Sequence, residues 1–343
     1  MKQIESKNEN NFIKKLFIKL CRLLGYEIID QNKFFIPTSE KSLNETLSVQ
    51  GIKSINLPLG EVKITRKVKS LDVIIRTCAS VNMLTQNKDR IFEKEKIEYI
   101  LKTTSSILRS IDYAKKDHPN ISFNLFIVDY NSSKENLIKM KTLVEKFKVN
   151  FKIINLDILE FESKIKKMSQ KNERTSSKQI SNMCNIYKSL EISKDAEDLI
   201  YFVEDDYIHK IESISEMIFT YERIASLTNK ELVICPADYP YLYTKTGDTK
   251  VFLGENYHWR KIEETLCTFL MSKITIKKHW GRLTSMCELE HYPFESPLHE
   301  IYKEELCISP IPSLAVHFTN VNSIFGLSPN TDWKKLWEEN KVK

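Results

Sequence analysis

Apolar residues recur along this chain in two rhythms. Short β-branched and aromatic runs bounded by turn formers are followed by longer stretches in which Ile, Leu and Phe return every three or four positions. The first rhythm reads as strand and the second as amphipathic helix. Strands are predicted at 71–77 (Leu-Asp-Val-Ile-Ile-Arg-Thr), at 123–129, at 150–155, and in a run ending at Glu204. Between them fall helices at 95–114, 137–147 and around 181–190, the first with Ile97, Ile100, Leu101, Ile107, Leu108 and Ile111 as its buried stripe. Strands that alternate with helices in this way build a mostly parallel sheet with helices on both faces, so the fold class is α/β.

The pattern differs at the two ends. Residues up to 11 are polar and expected to be disordered. From Phe12 a helix is predicted, with Phe12, Ile13, Leu16, Phe17, Leu20 and Leu24 on one face and Lys14, Lys15, Lys19 and Arg22 on the other. Gly25 is its stop signal. Such a helix either docks on the main domain or lies on an anionic membrane surface. Residues 26–70 read as a connector packed on the main domain, with strand-like pieces at 34–38 and 52–58. Beyond 231 the rhythm loosens and Tyr, His, Trp and Pro become frequent, as in a recognition region built from loops. The expected division is therefore 1–25, 26–70, a regular strand–helix half at 71–230, and a looser half with a C-terminal helix at 231–343.

Composition narrows the function. A chain of 343 residues, 41% hydrophobic and 29% charged, can bury one large core. The net charge of +6 suits an anionic ligand or membrane surface. No basic stripe with interleaved aromatics runs through the main domain, so no nucleic-acid partner is expected. The seven cysteines form no CxxC pair and read as buried thiols in a reducing compartment. The amino terminus lacks a secretory pattern, and no apolar run reaches the roughly 18 residues of a spanning helix. A cytoplasmic protein, peripheral to the inner face of the membrane through its first helix, is expected. With only seven glycines, the chain has neither GxGxxG nor a P-loop, which excludes dehydrogenases and ATPases of those types.

The candidate chemistry starts at Leu199-Ile-Tyr-Phe-Val-Glu-Asp-Asp-Tyr-Ile-His209, where an apolar strand ends in Glu204, Asp205 and Asp206. Three adjacent acids at the end of a buried strand either cap the next helix or hold a cation. Mn²⁺ or Mg²⁺ suits such oxygens, because these ions take one or two carboxylates and fill their shells with phosphate. Without a glycine cradle, a metal is the natural means of neutralising a nucleotide diphosphate. Two earlier strands also end in polar turns, at Ile75-Arg-Thr-Cys-Ala-Ser80 and Val128-Asp-Tyr-Asn-Ser-Ser133.

In motif and order, residues 71–318 resemble the GT-A class of nucleotide-sugar-dependent glycosyltransferases, family 2-like, with Glu204-Asp205-Asp206 as a variant of its DxD motif. A strict DxD is absent, because Glu204 stands at its first position. The resemblance implies a Rossmann-like mixed sheet flanked by helices and a UDP-sugar donor used with Mn²⁺ or Mg²⁺. It assigns Asp206 and the late His317 to the metal, Glu204 and Asp205 to the ribose or donor sugar, and Asp129 to the nucleoside. Arg76 and Thr77 would line the same cleft. Read as residues alone, Asp129 is equally a turn former, Arg76 a surface ion pair and His317 a satisfied core residue.

The last third must supply the acceptor site and a base. Glu263, Glu264, Glu288 and Glu290 are the candidate bases, and Glu290 is preferred for its neighbours His291, Tyr292 and His299. Asp238 is a candidate for contact with donor sugar or acceptor, and Tyr239, Tyr241, Tyr243 and Trp259 are candidates to stack on sugar faces. A glycan or lipid-linked acceptor fits the basic amphipathic start. The alternatives are a sugar-phosphate nucleotidyltransferase and a non-catalytic, membrane-associated carbohydrate-binding protein.

Overall fold

The computed structural model describes residues 12–26, 63–80, 91–92, 94–244, 247–319 and 323–342. The chain divides into two compact units, residues 1–62 and 63–343. In the first unit α1 spans Phe12–Leu23. Its apolar side chains Leu16, Phe17 and Leu20 are exposed. The strand-like pieces expected at 34–38 and 52–58, and the polar residues up to 11, lie outside the described residues.

The second unit opens as the hydrophobic rhythm predicts. Strand β1 (Ser70–Thr77), helix α2 (Lys96–Asp117), β2 (Ser122–Asp129), α3 (Lys134–Glu145), β3 (Asn150–Asn155), α4 (Ser177–Ser193) and β4 (Leu199–Glu204) follow one another. β1 is buried along its whole length, as its apolar run requires of a strand covered on both faces. Helices α3 and α4 begin at Ser133 and Ser176, whose hydroxyls accept from the backbone N–H three residues on. β1 pairs in parallel with β2 on one side and with β4 on the other, and β2 pairs in parallel with β3.

This order, β3-β2-β1-β4, fixes where the site lies. The chain moves outward from β1 to β3, then crosses back to β4 on the far side of β1. Right-handed crossovers then put α2 and α3 on one face and α4 on the other. The reversal opens a crevice at the carboxyl ends of β1 and β4, where open α/β sheets bind ligands. Arg76 and Glu204 face each other there in register.

Past β4 the sheet becomes mixed. β5 (Tyr207–His209), α5 (Ser213–Thr228), β6 (Leu232–Ile234), β7 (Val251–Leu253), β8 (His258–Lys261) and β9 (Phe269–Ser272) come next. Helices α6 (Lys273–Lys278), α7 (Trp280–Glu288) and α8 (Ser296–Tyr302), strands β10 (Leu306–Ile311) and β11 (Ala315–His317), and α9 (Trp333–Glu339) complete the unit. β9 runs antiparallel between β4 and β6, β10 extends the sheet beside β6, and β8 and β7 close that edge. The nine-stranded mixed sheet is thus continuous from β3 to β7. It is the α/β architecture expected, with antiparallel insertions in the half where the sequence rhythm is loosest. β5 and β11 form a separate antiparallel pair. Ile208 and Val316 from that pair, with Tyr99, Phe318, Leu336 and Trp337, make a second small core beneath the C-terminal helix.

The lead-in to β1 is tied down by charge. The Arg66 guanidinium bonds Asp198 at 3.0 and 2.5 Å and Glu231 at 2.8 and 3.2 Å, all three side chains being largely shielded from solvent. Removing the arginine leaves two carboxylates with unmet bonding capacity. Arg66→Ala is expected to lower unfolding stability by about 2–3 kcal/mol, read from the urea midpoint.

Candidate active site

Strand β4 delivers the acids and β11 brings a histidine to meet them. After Glu204 the chain turns through Asp205 and Asp206 and returns as β5, which pairs with β11 so that Tyr207 stands opposite His317. The Phe318 N–H donates to the Asp206 carbonyl at 2.8 Å, locking the turn to the strand. His317 Nε2 lies 3.4 Å from Asp206 Oδ1. At the other edge of the ring, Nδ1 donates to the Phe325 carbonyl at 2.8 Å. That bond fixes the tautomer and turns Nε2 toward the carboxylate, the arrangement of a metal-ligating imidazole. The Tyr207 ring stacks flat on the imidazole, 4.5 Å away at 5°, and is itself held by a 2.6 Å bond between the Tyr207 and Tyr239 hydroxyls. Burial pulls the His317 pKa down, but Asp206, supported by Glu204, outweighs it and the net shift is upward.

The other two acids meet their own cations. Arg76 Nη2 lies 3.3 Å from Glu204 Oε1, and Arg76 Nη1 donates to Asn182 on α4 at 3.0 Å. The Thr268 hydroxyl, on the approach to β9, donates to Glu204 Oε2 at 3.3 Å. Burial raises the Glu204 pKa, Arg76 and His317 oppose it, and Asp206 adds to it. Asp205 takes the Lys96 ammonium at 2.7 Å and the Cys78 N–H at 3.2 Å. Lys96 opens α2, where a cation opposes the helix dipole, and its ion pair with Asp205 supplies the compensation.

These residues line a cavity of about 490 Å³. Thr77, Lys178, Gln179, Asn185, Tyr130, Glu290, His291, Tyr292, Glu295 and Phe325 share its walls. The first turns of α4 supply Lys178, Gln179, Ser181 and Asn182, and its first turn contains no acid. A cation on an unopposed helix N-terminus suits an anionic group. Among the described residues no three His, Cys, Asp or Glu side chains gather closely enough to hold a metal by themselves. The donor set offered is the Asp206–His317 pair, one hard oxygen and one imidazole. It fits an ion that draws the rest of its shell from phosphate and water.

The structure distributes the sequence candidates unevenly. Arg76, Thr77, Glu204, Asp205, Asp206, Glu290 and His317 come together at the cavity. Asp129 is not in its walls. Its carboxylate accepts from the hydroxyls of Thr77 and Ser132, both at 2.6 Å, and from Ser132 N–H at 3.1 Å, so it shapes the turns after β1 and β2. Asp238 is buried against Arg260, which it contacts directly, and accepts from the Tyr243 hydroxyl at 2.5 Å. Glu263 is exposed and paired with Lys261 at 2.9 Å, and Glu264 is exposed outside the cavity walls.

Trp259 corrects an expectation: it is fully buried, its indole N–H donating to Glu216 at 3.1 Å, and presents no face to a sugar. Tyr239 is equally enclosed. Arg76, open to a reading as a surface ion pair, is 7% exposed and belongs to the interior. Lys96, Lys178 and Glu295 were not foreseen. For Lys96 a signal existed, a basic residue in the first turn of the helix predicted at 95–114, where the dipole disfavours it; Lys178 precedes the helix expected around 181–190 and carried none. Glu295, just ahead of Ser296-Pro297, had no such mark beyond a helix-start pattern.

No protein-family model and no curated protein sequence matches the chain. Solved structures similar in fold include the galactosyltransferase LgtC in complex with donor and acceptor sugar analogs, at 9% identity over 79% of this chain and 97% of that one, with a TM-score of 0.34. A UDP-glucose pyrophosphorylase complexed with UDP-glucose aligns at 9% identity over 75% and 96%, with a TM-score of 0.37. The apo form of mouse xyloside xylosyltransferase 1 aligns at 12% identity over 69% and 83%, with a TM-score of 0.38.

The geometry places Asp129 among the groups that shape the turns. Asp129→Ala strips two hydroxyls and an amide of their acceptor, and is expected to lower stability by about 2 kcal/mol in a urea titration.

Proposed function

We propose that this protein is a glycosyltransferase of GT-A type that moves a sugar from a nucleoside-diphosphate donor, a UDP-sugar by default, to a glycan or lipid-linked acceptor. The observation that carries the reading is the Asp206–His317 pair at the carboxyl end of the reversal strand, inside a cavity that also holds Arg76, Lys96 and Lys178. Its roughly 490 Å³ is in the range of small-ligand pockets. Mixed charge of this kind suits a sugar diphosphate bound with a divalent ion better than it suits a neutral ligand.

Each group then has a task. Asp206 and His317 would hold Mn²⁺ or Mg²⁺, which when bound neutralises the diphosphate and eases its departure. Phe325 and Tyr207 keep the imidazole turned toward the ion site. Lys178 and the amino end of α4 would attract the phosphates, and Arg76 holds Glu204 at the edge of the donor site. Glu204 and Asp205 would face the ribose or sugar across their ion pairs. Tyr130, Tyr292 and Phe325 supply aromatic surface for a nucleobase or sugar ring. Asp238, joined to Arg260, stands outside the cavity walls.

Peripheral membrane binding is part of the same proposal. The exposed apolar residues of α1 lie beside Lys19 and Arg22, and Leu23 and Leu24 extend that surface. Among the described residues no helix is long and apolar enough to cross a membrane. The full chain should sediment with vesicles containing anionic lipid and not with neutral ones, and Phe17→Asp with Leu20→Asp should abolish the difference.

Calorimetric titration tests the core of the reading. UDP with Mn²⁺ should bind the wild-type protein, and EDTA should remove most of that affinity. Asp206→Ala and His317→Ala should each weaken Mn²⁺-dependent binding by about 10- to 100-fold, as loss of a metal ligand or its orienting partner does. Wild-type release of UDP from a sugar donor, rather than of pyrophosphate from a sugar phosphate and UTP, separates transfer from nucleotidyl transfer. Equal UDP affinity with and without metal would overturn the assignment.

A further inference from the structure

Between β3 and α4 the chain carries a one-sided run of charge. Residues 162–178 hold six basic side chains, Lys164, Lys166, Lys167, Lys171, Arg174 and Lys178, against two acids, Glu162 and Glu173. Two of the lysines are answered by carboxylates, Lys164 by Glu191 at 2.7 Å and Lys167 by Glu162 at 2.8 Å. Lys166, Lys171, Arg174 and Lys178 are exposed, and among the described residues none of them has a carboxylate at ion-pair distance.

The run is held in a defined shape. Residues 167–175 turn back on themselves: Met168 bridges to Arg174, the Thr175 N–H donates to the Lys167 carbonyl at 3.1 Å, and the Ser169 N–H to the Glu173 carbonyl at 2.8 Å. Asn172, at the tip, takes the left-handed conformation with φ 58°, and the Ser169 hydroxyl accepts from the N–H groups of Lys171 and Glu173. Gln170 fastens this hairpin to the rim of the cavity. Its N–H donates to the Glu290 carbonyl at 2.9 Å, and its side-chain oxygen accepts from the Tyr292 N–H at 3.3 Å. His291 donates from Nε2 to the Ser285 carbonyl, which leaves Nδ1 to accept from the Gln170 side-chain amide at 2.6 Å. Glu290, His291 and Tyr292 are walls of the cavity. The Lys171 ammonium lies 4.4 Å above the Tyr292 ring, so the basic hairpin borders the opening directly.

A fixed backbone that holds like charges together incurs a repulsion that a bound anion relieves. The acid turn deeper in the cavity has cations of its own, whereas those of the hairpin stand uncompensated at the mouth. Only Glu173 in the hairpin and Glu290 on the adjoining wall carry the opposite sign there. A lysine and an arginine fork are a common means of gripping carboxylate and phosphate. Three bonds from Gln170 to the cavity wall tie this charge to whatever the cavity binds, which favours a ligand of the site over a lipid surface. We propose, resting on the transferase reading above, that the hairpin recognises the acceptor, and that the acceptor is an acidic glycan bearing carboxylate or phosphate groups on its sugars.

The test titrates the full-length protein, loaded with UDP and Mn²⁺, with three hexasaccharides: maltohexaose, maltohexaose bearing phosphate esters, and oligogalacturonate. At low ionic strength an acidic probe should bind about 10-fold tighter than the neutral one, the margin narrowing as salt rises, and the tighter of the two acidic probes identifies the anion. Lys171→Gln with Arg174→Gln should weaken acidic-probe binding about 10-fold, the scale of two exposed ion pairs, and leave UDP–Mn²⁺ affinity within about twofold. Lys139→Gln with Lys141→Gln removes the same charge from α3, outside the cavity walls, and should bind as wild type. Equal affinity for neutral and acidic probes, a hairpin variant that binds the acidic probes as wild type does, or a control variant that loses as much would each overturn the assignment while leaving the transferase reading in place. A hairpin variant that loses only its binding to anionic vesicles would likewise overturn it and assign the charge to a membrane surface. A wild-type protein that binds no UDP with Mn²⁺ would remove the transferase reading, and the acceptor assignment with it.

Discussion

Three consecutive carboxylates at the end of a buried strand repel one another and resist desolvation, and the fold is arranged around that conflict. Each acid is answered by a group from a different element: Arg76 from β1, Lys96 from the start of α2, and His317 from β11. Neutralisation by residues so distant in sequence requires the sheet order, the crossover of α2 and the β5–β11 pair to be in place together. The same requirement concentrates polar groups in a crevice whose floor is apolar strand. Charge balance, rather than any glycine-rich loop, therefore defines the cleft.

The answers given to the three acids differ in kind. Arg76 and Lys96 are fixed positive charges, and they hold Glu204 and Asp205 as structural and electrostatic parts of the wall. His317 is a conditional one. Its ring is oriented by a backbone carbonyl and a stacked tyrosine, and it faces Asp206 with a nitrogen that can take a proton or coordinate an ion. The counter-charge that His317 offers Asp206 thus depends on the protonation of the ring.

Much of this was legible in the sequence, for a physical reason. Strands buried on both faces must be apolar throughout, and the amphipathic helices between them must repeat near 3.6, so the first four strands and their helices could be read directly. β3 falls at the expected 150–155, and α2 within a few residues of the expected 95–114. The acid triplet announced itself because a hydrophobic run ends there without transition. The short strands β6 to β8 did not announce themselves, since three- or four-residue segments carry too few positions to establish a period. Asp129 and Glu290 could not be distinguished by type, because an acid in a polar turn looks the same whether it ties the turn or faces a ligand. Glu295 was hidden for a related reason. An acid before Ser-Pro is a sound helix start, and only the fold reveals that its side chain makes no capping bond and that the residue lines the cavity.

Where positive charge enters the cleft is open to direct measurement. Crystals of the protein soaked with UDP and Mn²⁺ would answer it through the anomalous scattering of manganese. A single strong peak in contact with Asp206 and His317 is expected, with the diphosphate on the side of Lys178. A peak coordinated by other residues, or UDP bound with the Asp206–His317 pair unchanged and no metal beside it, would contradict it.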